Sequence, residues 1–120
     1  MKISSFEPLI LTKNATSVIE LFEALGFEKQ HNKVGEIFDS IRLKDANGFH
    51  VDVTQVEFFP QDVTSIRMNV ESFDEAAKLL TERGFKNASG DTYTDTGTSH
   101  SAMFVSPSGF SISVCEHTKG

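Results

Sequence analysis

The chain has 120 residues, 38% hydrophobic and 23% charged, with a net charge of −6 at neutral pH; that suits one domain with a real core. The acidic balance and the lack of any Lys/Arg cluster argue against nucleic acid or anionic membranes as main partners, and no apolar run approaches the ~20 residues of a membrane-spanning helix. Cys115 is the one cysteine, so no internal disulfide can form. The stretch Met1 to Glu7 has no signal-peptide character, which makes a reducing, cytoplasmic setting the expectation.

In chain order, an extended stretch from Glu7 to Lys13 precedes a helix from about Ala15 to Ala24. Val18, Leu21, Phe22 and Leu25 fall at i, i+3, i+4, i+7, the spacing of one helical face. Ser17 with Glu20 has capping-box spacing, Asn14 is an alternative cap, and Gly26 is placed to end the helix. Three strand-like stretches follow, Phe27–Val34, Ile37–Lys44 and Phe49–Val56, with Asp45-Ala46-Asn47-Gly48 as a hairpin turn between the last two. Glu57 to Val63 is a linker. A strand over Ser65–Glu71 then leads to Ser72-Phe73-Asp74-Glu75, another capping-box pattern. Phe73, Ala76, Ala77 and Leu80 form the face of the second helix, and Gly84 ends it. Strands over about Phe85–Asp95, Ser99–Val105 and Phe110–Glu116 complete the chain, with Pro107-Ser108-Gly109 as the last turn.

The second half repeats the first. Leu25-Gly26-Phe27 recurs as Arg83-Gly84-Phe85, and Gly48-Phe49 as Gly109-Phe110, each roughly 60 residues on. The order β-α-β-β-β occurs twice, in unit one over about residues 5–57 and unit two over about 63–117, within a single domain spanning 1–120. Alternation along the strands separates apolar from polar faces. Val51 and Val53 oppose His50 and Asp52; Ile66, Met68 and Val70 oppose Ser65, Arg67 and Asn69; Ile112 and Val114 oppose Ser111, Ser113 and Cys115. The apolar faces suit packing under helices. The polar faces either meet solvent or, where the sheets curl, line a cavity.

Arg67 is the residue most expected to touch a ligand, because a guanidinium grips carboxylate or phosphate in a bidentate way. The alternative is an internal ion pair with Glu7 or Asp52. Those two carboxylates read as polar pocket contacts or as an acid–base pair. His50 shares a strand face with Asp52, about 7 Å away by strand rise. His31, His100 and His117 read as surface residues, and Cys115 as packing. Phe58-Phe59-Pro60 in the linker places an aromatic over a sheet edge, a pocket mouth or a second subunit.

The doubled unit, with Leu25-Gly26-Phe27 closing helix one and Pro107-Ser108-Gly109-Phe110 opening the last strand, resembles the vicinal oxygen chelate superfamily of glyoxalase I, bleomycin-resistance proteins and extradiol dioxygenases. The resemblance covers nearly the whole chain. It implies an α+β fold of two tandem β-α-β-β-β units forming a half-open barrel around a central pocket, and a homodimer. It also implies four metal-ligand positions, which fall on Glu7, Asp52, Ser65 and Ser113. A catalytic divalent site normally has about three protein ligands and an open position, and serine hydroxyls are poor replacements for imidazole or carboxylate. Glu7 and Asp52, with His50 as a third group, would hold at most a weak hard ion such as Mg²⁺. The expectation is therefore a protein that binds a small organic molecule without a complete metal site or a cofactor, as in the bleomycin-resistance branch. Glu7, His50, Asp52, Ser65, Arg67 and Ser113 would line its pocket. The alternatives are a divalent-metal lyase, isomerase or dioxygenase using Glu7 and Asp52, and a ligand-sensing domain.

Overall fold

Each helix starts where a side chain can take up its first free backbone N–H groups, and those two starts organise the fold. The structure, a computed structural model, describes residues 2–30, 40–57, 59–88, 94–95 and 99–117, without the side chains of Thr94, Asp95 and Ser99. His31, Phe58 and the expected strand segments 31–34, 37–39 and 89–93 lie outside the described residues. The chain divides into two compact units, Glu7–Ser65 and Ile66–Gly120 together with Met1–Phe6.

In the first unit, β1 (Ile3–Thr12, from Glu7 on) leads to α1 (Ala15–Ala24), then to β2 (Glu28–Lys29), β3 (Ser40–Lys44) and β4 (His50–Gln55). The strand order is β2-β3-β4-β1, with β3 antiparallel and β1 parallel to β4. In the second unit, β5 (Val63–Val70, from Ile66 on) leads to α2 (Phe73–Glu82), then to β6 (Lys86–Asn87), β7 (Thr94–Asp95), β8 (Ser99–Val105) and β9 (Ser111–His117). Here β5 runs parallel to β9, and β8 pairs antiparallel with β9, β6 and β7. The expected α+β class and the doubled β-α-β-β-β order both form, and the strand expected over about Phe85–Asp95 is described as two two-residue strands, β6 and β7. Among the described residues, neither unit's strands close on themselves. The residues before Glu7 belong to the second unit: the Glu71 N–H donates to the Lys2 carbonyl (3.0 Å) and Ser4 Oγ to the Asn69 carbonyl (3.3 Å).

Each helix covers its own unit's core. Met68, Val70, Phe73, Ala76, Leu80, Phe104 and Val114 form one cluster. Ile19, Leu43, Val51 and Val53 form the other, with Ala15, Val18 and Phe22 packed against it. The inward stripe of α1 is thus Ala15, Val18, Ile19 and Phe22, not the stripe through Leu21 and Leu25, which are 56% and 63% exposed. Both stripes have i, i+3, i+4, i+7 spacing, so periodicity alone does not choose between them.

The repeated tripeptides are helix ends. The Gly26 N–H donates to the Glu23 carbonyl (3.1 Å) and Phe27 to Phe22 (3.0 Å); Gly84 donates to Thr81 (3.0 Å) and Phe85 to Leu80 (3.0 Å). These are Schellman pairings, which require a residue at positive φ. Gly26 at 106° and Gly84 at 91° supply it without steric cost. The accompanying apolar contact of the first is the edge-on Phe22–Phe27 ring pair, 5.3 Å between centroids. The helix starts match as well. Asn14 and Ser72 cap by accepting from Ser17 N and Glu75 N. The first helical N–H, of Ala15 or Phe73, donates to the end of the unit's last strand, at Gln55 Oε1 (2.8 Å) or Glu116 Oε1 (2.6 Å).

Candidate functional site

The hairpin of β3 and β4 sets up the most concentrated chemistry of the first unit. Its turn is closed by Gly48 N–H to the Asp45 carbonyl (3.1 Å), and Asp45 Oδ1 accepts from Asn47 N (3.0 Å) and Phe49 N (2.8 Å). That turn fixes the register, placing Arg42 opposite Asp52, Ser40 opposite Thr54 and Lys44 opposite His50. Ile41 and Leu43 face the helix-side core, so Arg42 necessarily faces the other way. β1 adds Glu7 to the same face: Leu9 pairs with Asp52, and Glu7 lies two residues before it.

The result is a buried ionic cluster. Arg42 Nε donates to Asp52 Oδ1 (2.8 Å) and Nη2 to Asp52 Oδ2 (3.0 Å), a bidentate fork, while Nη2 also bonds Glu7 Oε1. Glu7 and Asp52 are 3% and 1% exposed, and the Arg42 side chain 26%. Carboxylates this buried require a partner charge, because their desolvation is otherwise prohibitive. Beside them Thr54 Oγ1 donates to Ser40 Oγ at 3.0 Å, both residues buried. Leu9 and Leu11, also buried, complete the face through their register with Asp52 and Thr54. It is an amphipathic surface, ionic at one end, with hydroxyls and leucines alongside.

In the second unit the register places Arg67 of β5 opposite Ser113 of β9, and Asn69 opposite Cys115. Arg67 is buried at 8% exposure, and Ser113 is half-buried. Ser65, the last residue of the first unit, is buried. Met103 of β8 lies opposite Ser113, at the place where the first unit has Arg42 opposite Asp52. Cys115 is buried with its Sγ 3.6 Å from Nε2 of the exposed His117, and His100 is half-buried opposite Glu116.

Of the sequence-derived candidates, then, Glu7 and Asp52 meet on one guanidinium. His50 is half-buried one pair further along β4, and Arg67 and Ser113 are cross-strand neighbours. The residue missed from sequence is Arg42. Its signal was present, since the alternation of Ile41 and Leu43 and the Asp45–Gly48 turn together put it opposite Asp52.

The donor chemistry at the four positions where the family resemblance implies metal ligands fits a resident divalent ion poorly. Two of the groups are serines, and the two carboxylates are engaged by Arg42, which an ion would have to displace. Among the described residues, no group of three or more His, Cys, Asp or Glu side chains is arranged to hold a metal ion. No helix among the described residues is long and apolar enough to cross a membrane.

No protein-family model matches the chain, and no curated protein matches it. Solved structures do. A glyoxalase/bleomycin resistance protein/dioxygenase superfamily member from Vibrio splendidus superposes with a TM-score of 0.62 at 16% identity, covering 96% of this chain and 99% of that one. Methylmalonyl-CoA epimerase from Mycobacterium tuberculosis gives 0.66 at 13% identity over 98% and 90%. Glyoxalase I from Zea mays gives 0.68 at 12% identity over 98% of this chain and 44% of that one, so the chain spans less than half of the maize protein. Likeness over almost the whole chain, together with the doubled β-α-β-β-β order, gives this protein the vicinal oxygen chelate fold, that of the glyoxalase, bleomycin-resistance and dioxygenase proteins.

Proposed function

We propose that the chain binds a small organic molecule on its polar sheet faces without a complete metal site, in the manner of a bleomycin-resistance protein. The observation that carries this reading is the Arg42 fork on Asp52 and its bond to Glu7: the carboxylates that a metal enzyme of this fold would use already hold a cation. Ser65 and Ser113 then serve as hydroxyl contacts, His50 as a donor or acceptor at the edge, and Arg67 as the anchor for an anionic group of the ligand. We place the protein in the cytoplasm as a homodimer.

A library of amphipathic carboxylates and amines, screened by thermal shift, supplies a ligand for the test. Arg67→Ala is then expected to weaken an anionic hit about 30-fold or more, the effect of truncating one partner of a buried charge pair. Unchanged affinity removes Arg67 from the site.

The second reading is an enzyme in which Glu7 or Asp52 moves a proton. The fold's occurrence in an epimerase and in glyoxalase I favours it. It predicts turnover of a bound ligand that Asp52→Asn abolishes while binding persists.

A further inference from the structure

Asn47-Gly48 is the chain's one Asn-Gly pair, and it stands in the turn of the hairpin that sets Arg42 opposite Asp52. We propose that this pair is a spontaneous deamidation site, and that its product loosens the hairpin. The Gly48 backbone nitrogen attacks the side-chain amide of Asn47. A bond forms from Gly48 N to Asn47 Cγ, the Cγ–Nδ2 bond breaks, and the Gly48 proton leaves with the Nδ2 group as ammonia. Water, the one co-reactant, then opens the cyclic imide at either carbonyl, giving aspartate or isoaspartate at position 47. Both residues are exposed, and nothing lies within 4 Å of the place where a Gly48 side chain would begin. The attacking nitrogen is therefore shielded neither by its own side chain nor by a neighbour's there. The other asparagines precede residues that carry side chains, Ala15, Lys33, Val70 and Ala88. Asn14 Oδ1 is also engaged as the cap of α1, while Asn69 and Asn87 stand in strands.

The turn itself sets the rate. The Gly48 N–H donates to the Asp45 carbonyl (3.1 Å), so the nitrogen attacks only in molecules where that bond has opened. Asp45 Oδ1 holds the turn shut by accepting from Asn47 N (3.0 Å) and Phe49 N (2.8 Å). Asp45 is thus a positioning residue that slows the reaction. The same contacts make the product disruptive. Aspartate at position 47 sets a second carboxylate close to that of Asp45, and like charges at short range repel. Isoaspartate runs the main chain through the former side chain, adding one carbon between the two bonded ends of the turn. Either product weakens the closure of Asp45 on Phe49, and the Lys44–His50 and Arg42–Asp52 pairs lie next along the hairpin.

Ageing the folded protein in warm, mildly alkaline buffer, with peptide mapping by mass spectrometry, tests the site. The Asn47 peptide should convert from amide to acid, with isoaspartate among its products, about ten-fold or more faster than the peptides carrying Asn14, Asn69 or Asn87, because its neighbour alone lacks a side chain. Asp45→Ala should speed the conversion several-fold, while Asp45→Asn, which keeps the accepting oxygen, should stay near the wild-type rate. Hydrogen exchange on the aged wild type should show protection lost at the Gly48 and Phe49 amides and reduced along β3 and β4, with the amides of β8 and β9 unchanged. An Asn47→Ser chain aged in parallel should keep its protection throughout. Conversion of Asn47 no faster than that of the other asparagines overturns the proposal. So does complete conversion that leaves the Gly48 and Phe49 amides protected, and so does a folded Asp45→Ala chain that converts no faster than wild type. Should Asp45→Ala fail to fold, the two wild-type measurements decide the proposal without it.

Discussion

At the scale of single residues, Arg42 decides the character of the first unit's polar face. Removing it strands two carboxylates that are 3% and 1% exposed. Breaking a buried pair in this way costs roughly 3–5 kcal/mol, and the partial exposure of Arg42 places Arg42→Ala near the low end, at about 3 kcal/mol. Replacing the whole cluster, as Glu7→Leu/Arg42→Met/Asp52→Leu, removes the desolvation penalty together with the attraction and should be neutral or stabilising. Urea unfolding of both variants at neutral pH checks the pair of expectations. A single variant as stable as wild type would mean that the fork contributes nothing to the fold. The contrast explains what was legible at this site: Glu7 and Asp52 stand out because the family resemblance implies ligand positions there. Arg42 stands out less, although the alternation of Ile41 and Leu43 and the Asp45–Gly48 turn are enough to set it opposite Asp52.

At the scale of elements, the repeat is a repeat of endings and beginnings. The conserved-looking tripeptides in the two halves are the Schellman closures of α1 and α2. Gly84→Ala should lower stability by about 1–2 kcal/mol, since an L side chain pays that much at positive φ. The nearest atoms to the added methyl, on Pro107, are 3.7 Å away, so backbone strain rather than a clash sets the effect. A midpoint shift in thermal unfolding measures it. The helix starts repeat equally well but invisibly, because the two units use different residues, Gln55 and Glu116, for one task. Glu116→Ala should cost about 1–2 kcal/mol, the range for losing a helix cap, and raise exchange at the Phe73 amide specifically. Helix bounds and strand alternation were legible because caps, glycines and period-two patterning are local. The choice of inward stripe on α1 was not. Apolar residues occupy most of that helix's circumference, and only the packing of Ile19 on Leu43, Val51 and Val53 selects the face.

At the scale of the whole molecule, the sequence repeat and the compact units are cut at different points. The copies read from sequence begin near residue 5 and residue 63, whereas residues 1–6 belong with residues 66–120. Deleting the first five residues should therefore loosen the end of β5 rather than the unit that follows them in the chain. Hydrogen exchange gives the readout: the Glu71 amide, which donates to the Lys2 carbonyl, loses protection, while the amides of β3 and β4 keep theirs. Equal loss in both units would show that the N-terminal segment supports the entire molecule instead.

The same placement has a consequence for how the protein is made. Synthesis delivers residues 2–6 before the first unit, but the backbone groups they bond, at Asn69 and Glu71, leave the ribosome only after that entire unit has emerged. At ~5–20 residues per second that interval is several seconds, long compared with hairpin and helix formation. The first unit can thus assemble while residues 2–6 wait for their partners, so a segment made before that unit is fixed only after it.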